Sequence, residues 1–492
     1  MPRNDKDSEL VLGLITTVGT EVGYVIESIK NQLAFFHYDI EEIIVSKKII
    51  SQFETGISTN FSSEYERVNC YMDLGNEIRK GTNDNSILMK GVARHIYLQR
   101  IKDNDNHPQP RPRTAYIIKS LKHPDEVDFM RDTYGDGFHL IGITSSNERR
   151  IEYLTKQKGL SEKEAEALLK RDEDEDLKQG QHTRDAFQHS DYFINITENV
   201  DQTYNAISRL IDLLFGHPFI SPGFDEYAMF MAYASSLRSA DLSRQIGAVI
   251  ANNNEILSMG TNDCPKLGGG LYWPILDTKG GYTDEEEGRD YMRGHDSNKT
   301  EQQKIIDSIF ATFSIEPTES NTIKIKNTGI GDLTEYGRVV HAEMEALLSC
   351  ARNNVSCRGA TLYATTFPCH NCAKHIIAAG IMRVVYIEPY PKSKAFQFYP
   401  REISDGKKED NKVIFEPFTG VGPQKFIDLF AVKSPKWSDR KRKNKSGVAL
   451  DWKREGAELR NPISLLNYLD AEQSALMAFE DETTASILRR KS

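Results

Sequence analysis

The chain has 492 residues, of which 39% are hydrophobic and 27% charged. That is the composition of folded protein with a sizeable core, and it excludes the disordered class. Lysine and arginine total 62 against 72 aspartates and glutamates, a net charge of −10, which argues against a general binder of phosphate backbones and leaves room only for a local basic channel. No apolar run is long enough to span a bilayer, and the Met1–Leu10 start is polar. Six cysteines in a chain of this length make no disulfide scaffold, so a cytoplasmic protein with free thiols or metal-bound cysteines is expected. At roughly 100–200 residues per domain, the length favours two to four domains.

Read from the start, residues 10–15 form a short apolar run typical of a buried strand. A Thr/Gly-rich turn (residues 16–23) follows, then a helical pattern over 24–36. Strand, glycine-rich turn and helix open a nucleotide-binding α/β domain. Further strands are expected at 114–118, 139–144 and 192–196, with helices between them, as in a mostly parallel sheet. Residues 103–112 and the acidic run 172–176 read as surface excursions, the latter as a solvated face or loop. The Pro/Gly segment 217–223 is the best boundary. Beyond it come a helix (225–239), two strands (246–251 and 256–260) around the hairpin signal Asn252-Asn253-Asn254-Glu255, and a polar, glycine-rich stretch (about 264–335) that reads as an insertion. A helix (342–353), a strand (361–365), a helix (369–379) and a strand (384–387) complete the pattern. The basic run 433–445 reads as a solvated tail, and 463–479 as an amphipathic helix.

The chemistry concentrates in His341-Ala342-Glu343 and Pro368-Cys369-His370-Asn371-Cys372. Two cysteines three apart at a helix start point to one side, and the helix N-terminus favours their thiolates. With His341 they make three ligands, which leaves the fourth tetrahedral position of one Zn²⁺ open, as in a catalytic site. Glu343 beside such a site is suited to moving protons. Residues two apart do not share a face of a regular helix, so His341 must sit at the first turn, and the β-like Val339-Val340 before it agrees. The rival is a Cys₄ structural site using Cys350 and Cys357, which leaves the His-Ala-Glu triplet unexplained. His370 and His375 are alternative ligands, His370 more naturally a neighbour of the site. Cys70 and Cys264 read as ordinary thiols. His-x-Glu followed by Pro-Cys-x-x-Cys is the signature of zinc nucleobase deaminases.

The order β-β-α-β-α-β after a leading helix is that of the cytidine deaminase fold. Gln245-Ile246-Gly247-Ala248-Val249-Ile250, Gly260-Thr261-Asn262, Gly337-Arg338-Val339-Val340-His341-Ala342-Glu343 and the cysteine motif resemble a dCMP-type deaminase. With Tyr272-Trp273 and Glu388-Pro389-Tyr390-Pro391-Lys392-Ser393, the whole chain resembles the bacterial antiviral cytidine deaminases. The resemblance implies a P-loop or nucleoside-monophosphate-kinase-like parallel-sheet domain (1–218), an α/β/α deaminase domain (219–435) and a basic, partly helical tail (436–492). It also implies that Asn262 bonds the sugar and that Ser239, Arg244, Lys392 and Ser393 handle phosphate, although Ser243 stands where an arginine is usual and Asn262 reads equally as a turn residue. A homo-oligomer and restraint by a partner, in some members a small RNA, are further implications.

The N-terminal turn departs from a phosphate-binding loop. Against G-x-x-x-x-G-K-[ST], Thr16 replaces the first glycine and Glu21-Val22-Gly23 the Gly-Lys-Ser/Thr end, so ATP hydrolysis is not expected. Arg113-Thr114 and the run Leu121–Glu126 keep a kinase-like layout. The domain then either holds a regulatory nucleotide at Thr16, Gly19 and Gly23 or serves only as an oligomer interface. The leading expectation is hydrolytic deamination of dCTP or dCMP, with Glu343 carrying protons to the ring nitrogen and the departing amine, and with depletion of dCTP during phage replication as its result. The alternatives are a deaminase of single-stranded polynucleotide, which the 433–445 run alone favours, and a nucleotide sensor with structural zinc.

Overall fold

The computed structural model describes residues 7–53, 61–103, 108–173, 182–197, 199–390, 392–406, 409, 411–433, 439–463 and 468–491. Residues 104–107, 174–176, Pro391, 434–438 and 464–467, which fall in segments singled out above, lie outside these. The chain forms two units, Met1–Glu226 with Thr419–Ser492, and Tyr227–Phe418.

In the first unit β1 (Leu10–Thr16) is buried at every position, because a strand covered on both faces needs an unbroken apolar run. Then follow α1 (Gly23–Ala34), β2 (Asp39–Ile44), α2 (Glu64–Thr82), α3 (Ile87–Asp103), β3 (Thr114–Leu121), α4 (Pro124–Tyr134), β4 (Phe138–Ser145), α5 (Glu162–Glu173), β5 (Tyr192–Ile196) and α6 (Val200–Leu214). Five strands pair in parallel in the order β5-β4-β1-β3-β2, and Gly420–Val421 adds an antiparallel edge to β5. Leu12 and Leu14 pack with Val25, Ile29 and Leu33 of α1 and Ile211 of α6. The His123-Pro124-Asp125 step is a helix start: Pro124 opens α4 and the His123 side chain accepts the Asp125 N–H at 3.1 Å.

The first unit runs to Glu226, inside the helix Phe224–Ser236, where the expected boundary was residue 218. Glu226 explains the shift: its carboxylate takes two 2.7 Å bonds from Arg209 and one each, also 2.7 Å, from the Gly223 and Val421 N–H groups. Thr419–Ser492, which contains the expected tail 436–492, groups with this unit. In the basic run Lys441, Lys443 and Lys445 are solvated, but Arg440 is buried on the Leu429 carbonyl and Arg442 donates to the Pro218 carbonyl at 2.8 Å. Finally, Asp172 of the acidic run is buried, not solvated.

What fastens the tail is a fully buried charge cluster. Arg100 of α3 donates to both Glu9 oxygens at 2.9 Å and to Glu472 of the C-terminal helix Tyr468–Lys491. Tyr116 and Tyr468 donate to Glu9 at 2.9 and 3.0 Å, and Tyr134 donates to Glu472 at 2.6 Å. Two carboxylates face one guanidinium out of contact with bulk solvent. Burial therefore pushes Glu472 up from its ordinary 4.5 to about 7.

The second unit contains α7 (Phe224–Ser236, from Tyr227 onward), β6 (Gly247–Asn252), β7 (Glu255–Thr261), α8 (Ser297–Phe313), α9 (Ala342–Arg352), β8 (Thr361–Thr366), α10 (His370–Ala378), β9 (Arg383–Glu388), β10 (Ile403–Asp405) and β11 (Val413–Pro417). The sheet order is β10-β11-β9-β8-β6-β7. β6 pairs antiparallel with β7 and β8, and β8, β9, β11 and β10 run parallel. Asn253 and Asn254 both take positive φ, 51° and 60°, the backbone a two-residue hairpin turn requires. The expected insertion is more ordered than its composition implied. It holds α8, capped by Asp296, and a small hairpin of Ile275–Leu276 with Tyr282–Thr283. The buried stripe of α8 is Gln302, Ile306 and Phe310, too narrow and too polar to read as periodicity.

The cluster around Arg100 sets a pH dependence. The folded chain keeps a proton on Glu472 that the unfolded chain releases at its lower pKa. Stability therefore falls as pH rises from about 4.5 to 7, by about 3 kcal/mol in all, and is level above. Glu472→Gln removes this contribution. In urea titrations followed by circular dichroism, the wild-type unfolding midpoint should drop across that window relative to the variant, and parallel profiles would refute the assignment.

Candidate active site

Two helix starts meet at one point of the second unit. His341 is the N-cap of α9, with extended backbone (φ −67°, ψ 150°). It thus sits one residue before the first turn, and its side chain is free of the helical face on which Glu343 lies. The approach is fixed by Val340, whose N–H donates to the Asp263 carbonyl at 3.0 Å and whose carbonyl accepts the Asp263 N–H at 3.3 Å. Cys369 is the N-cap of α10, and its sulfur accepts the Cys372 N–H at 3.4 Å. Cys372 lies in the first turn, fully buried.

Gly260 lets α9 reach this position. A Cβ at Gly260 would lie 2.1 Å from the Ala342 carbonyl oxygen and 2.6 Å from the Ala346 nitrogen, so only glycine admits the helix backbone there. Ala342, Ala346 and Ala373 continue the close seating against Ala248, Leu362 and Ala364 of the sheet.

His341 Nδ1 lies 3.4 Å from the Cys369 sulfur and 3.3 Å from that of Cys372. Zinc–nitrogen bonds of about 2.0–2.1 Å and zinc–sulfur bonds of about 2.3 Å at the tetrahedral angle separate N and S by about 3.5 Å. The donor set therefore fits zinc in kind and in spacing. Among the described residues this is the one cluster of three or more His, Cys, Asp or Glu whose ligand atoms converge. The charges agree. The hydrogen bond from Cys372 lowers the Cys369 thiol to about 4, and the bond to Cys369 raises His341 to about 9. Cys372 is pushed up, by the same Cys369 contact and then by burial. Glu343 is 4% exposed. Burial first, and then the Cys369 charge, raises its pKa, so it can hold a proton and release it within the site.

The alternative ligands go elsewhere. Cys350 lies 3.2 Å from the Ser258 hydroxyl and Cys357 lies 3.8 Å from the Ala379 carbonyl, so no Cys₄ site is built. His370 packs edge-on against Phe398 and His375 is exposed. Cys264 is buried beside Asp290 with its thiol pushed up to about 11 by desolvation. Cys70 is half-buried.

The expected substrate residues are engaged with the protein itself. The Asn262 side chain accepts the Ile246 N–H at 2.7 Å and donates to the Arg244 carbonyl at 2.8 Å, while Ser239 donates to the Asn262 carbonyl at 2.7 Å. Ser393 donates to the Pro368 carbonyl at 2.9 Å, directly before Cys369. Arg244 is exposed, 3.1 Å from Glu388 and over the Tyr390 ring at 5.7 Å. Lys392 pairs with Asp332 at 2.7 Å. Glu388, quoted at the head of the Glu388–Ser393 run without a role, ends β9, pairs with Arg244 and accepts a 2.8 Å bond from Thr366. In the first unit Thr16 ends β1, Gly19 has φ +84° and Gly23 begins α1.

Residues 222–388 match the cytidine and deoxycytidylate deaminase zinc-binding region. Deoxycytidylate deaminase of Enterobacteria phage T4 is 32% identical over 164 residues, 33% of this chain and 77% of that protein. The human deoxycytidylate deaminase is 27% identical over 163 residues, 33% of this chain and 63% of that protein. A crystal structure of the dCMP deaminase from cyanophage S-TIM5 covers 40% of this chain and 100% of its own at 20% identity, with a TM-score of 0.23. Through its second unit the chain belongs to the cytidine and deoxycytidylate deaminase family. No helix among the described residues is long and apolar enough to cross a membrane.

His341→Ala and Cys372→Ser should each abolish zinc binding, measured by plasma mass spectrometry of the purified full chain. Cys350→Ser and Cys357→Ser should leave zinc content at the wild-type level.

Proposed function

We propose that the protein hydrolytically deaminates free deoxycytidine nucleotides, dCMP or dCTP, to deoxyuridine nucleotides and ammonia. The observation that carries this reading is Glu343, a buried carboxyl with a raised pKa on the helix whose N-cap is His341. The names of the relatives, deoxycytidylate deaminases, supply the substrate class. His341, Cys369 and Cys372 would hold the zinc. Zinc bound there supplies a water activated at neutral pH and a Lewis acid beside the reacting carbon. Glu343 takes a proton from the attacking water and delivers it to the ring nitrogen next to C4; it then takes the second water proton from the new C4 hydroxyl and passes it to the amino group as the C4–N bond breaks and ammonia leaves.

Arg244 and Lys392 are exposed cations in the segments around the strand ends, and we assign them to the substrate phosphates. Each now rests on a carboxylate, Glu388 or Asp332. The Lys392–Asp332 pair is exposed on both sides and worth little, so exchanging that carboxylate for a phosphate costs little. Asn262 then acts by holding residues 244–246, which places Arg244. The reading as a polynucleotide deaminase loses support, since Arg440 and Arg442 of the basic run are bonded to backbone carbonyls. Depletion of dCTP during phage replication is the biological role we infer from the resemblance to the antiviral deaminases.

The test is ammonia release from deoxycytidine, dCMP, dCTP, CTP and a single-stranded oligonucleotide in parallel. Turnover confined to the oligonucleotide, or none on any of them by the zinc-loaded protein, would sink the proposal. Glu343→Gln should keep its zinc and lose roughly a hundred- to ten-thousand-fold in kcat. Lys392→Ala should lower kcat/KM roughly ten- to hundred-fold for the phosphorylated substrates, the worth of one charge-assisted bond, and leave deoxycytidine turnover unchanged.

A further inference from the structure

The segment that delivers His341 is held by a single isolated bridge. Asp263 and Val340 pair antiparallel outside the sheet, with one backbone hydrogen bond in each direction. Pairing this short is marginal by itself, yet it fixes the residue directly before His341. Side chains on both chains of the bridge complete the hold. Their partners are two neighbouring residues of the insertion, Arg289 and Asp290.

Arg289 is the N-cap of the short helix Asp290–Arg293. Its Nη2 lies 3.2 Å from the Asp263 carboxylate and donates to the Tyr272 carbonyl at 2.8 Å, and its Nη1 donates to Asp284 at 3.2 Å. Asp290 accepts a 2.7 Å bond from Arg338, two residues before Val340, and the second arm of Arg338 donates to the Gly288 carbonyl at 2.9 Å. The Cys264 thiol lies 3.7 Å from Asp290. The Asp263 and Arg289 side chains are 2% and 5% exposed, and that of Asp290 8%. The two chains of the bridge thus carry opposite charges, Asp263 on one and Arg338 on the other, and the Arg289-Asp290 dipeptide meets each with its complement. Such a clamp closes in one register only. A slip of either chain would leave a buried charge without its partner, which is expensive.

His341 follows Val340 in extended conformation and faces the Cys369 and Cys372 sulfurs at 3.4 and 3.3 Å. A shift of the bridge is therefore a shift of His341. The converging ligand atoms belong to His341, Cys369 and Cys372 and include neither Asp263 nor Asp290, so the clamp acts by placement and not by ligation.

We propose that Arg289 and Asp290 are positioning residues for the metal site: by gripping Asp263 and Arg338 they fix the bridge and, through it, His341, which makes the insertion part of the framework of that site. The proposal rests on the reading of His341, Cys369 and Cys372 as zinc ligands.

Asp290→Asn keeps the side chain's shape and removes its charge. On the purified full chain, zinc affinity is measured by competition with a chelator, and ligand geometry by the visible spectrum of the cobalt-loaded protein. Asp290→Asn should bind zinc roughly ten- to hundred-fold more weakly than wild type, with shifted cobalt bands. Lys304→Met, which breaks an exposed pair with Glu301 on α8 of the same insertion, should match wild type in both. A purely structural role predicts a lower melting temperature of the metal-free variant with zinc affinity and cobalt bands of the folded protein unchanged, and that result overturns the proposal. If Asp290→Asn does not fold, Arg338→Lys is read in the same way. It keeps the charge and loses the two-armed grip, so zinc should weaken several-fold and the bands shift, and wild-type values overturn the proposal. A wild-type chain that binds no zinc would instead strike the ligand reading itself, before any variant is compared.

Discussion

The second unit turns on where two helices begin. A side chain on a helix rotates by roughly 100° for each residue of shift, so moving the start of α9 or α10 by one position would scatter His341, Cys369 and Cys372. The starts are therefore pinned by backbone contacts. The Asp263–Val340 pairing delivers His341 in extended conformation, and the Cys372 N–H bonded to the Cys369 sulfur closes the other turn. Gly260 then admits α9 to the sheet at backbone contact. Because both helices present their N-termini, the partial positive charge of each favours thiolate and discourages a protonated imidazole once a metal is bound. Placement and chemistry come from the same two N-caps.

Much of this was legible in residue order. The His-x-Glu and Cys-x-x-Cys spacings picked out the three side chains that converge as a candidate metal site, since such spacing is local information, and the apolar runs at 10–15, 114–118, 139–144 and 192–196 announced strands that are buried on both faces. β2 was missed because Asp39, Glu41 and Glu42 interrupt its pattern. As an edge strand it can carry them, and Glu41 is drawn to His95 and Arg111 from elsewhere in the fold. α8 was missed because a helix that buries only Gln302, Ile306 and Phe310 leaves almost no periodic trace. The tail was misread for a different reason. Its attachment depends on Glu472 meeting Arg100 and on Arg440 finding the Leu429 carbonyl, partners hundreds of residues away or without sequence identity, and a charge that will be buried looks the same in sequence as one that will be solvated.

The same blindness to burial separates the two places where cations gather. In the second unit Arg244 and Lys392 are exposed and each leans on a carboxylate within reach of water. Their present partners cost little to leave, because water and ions compensate both charges while the pair is open. In the first unit Asp172 is fully buried, held by Arg150, 4% exposed, and by the partly exposed Lys122. Opening that pair strands buried charges, and the cost is several-fold larger. A site that exchanges its ligand often is better served by pairs of the first kind. The second kind suits a lasting contact that holds the fold together.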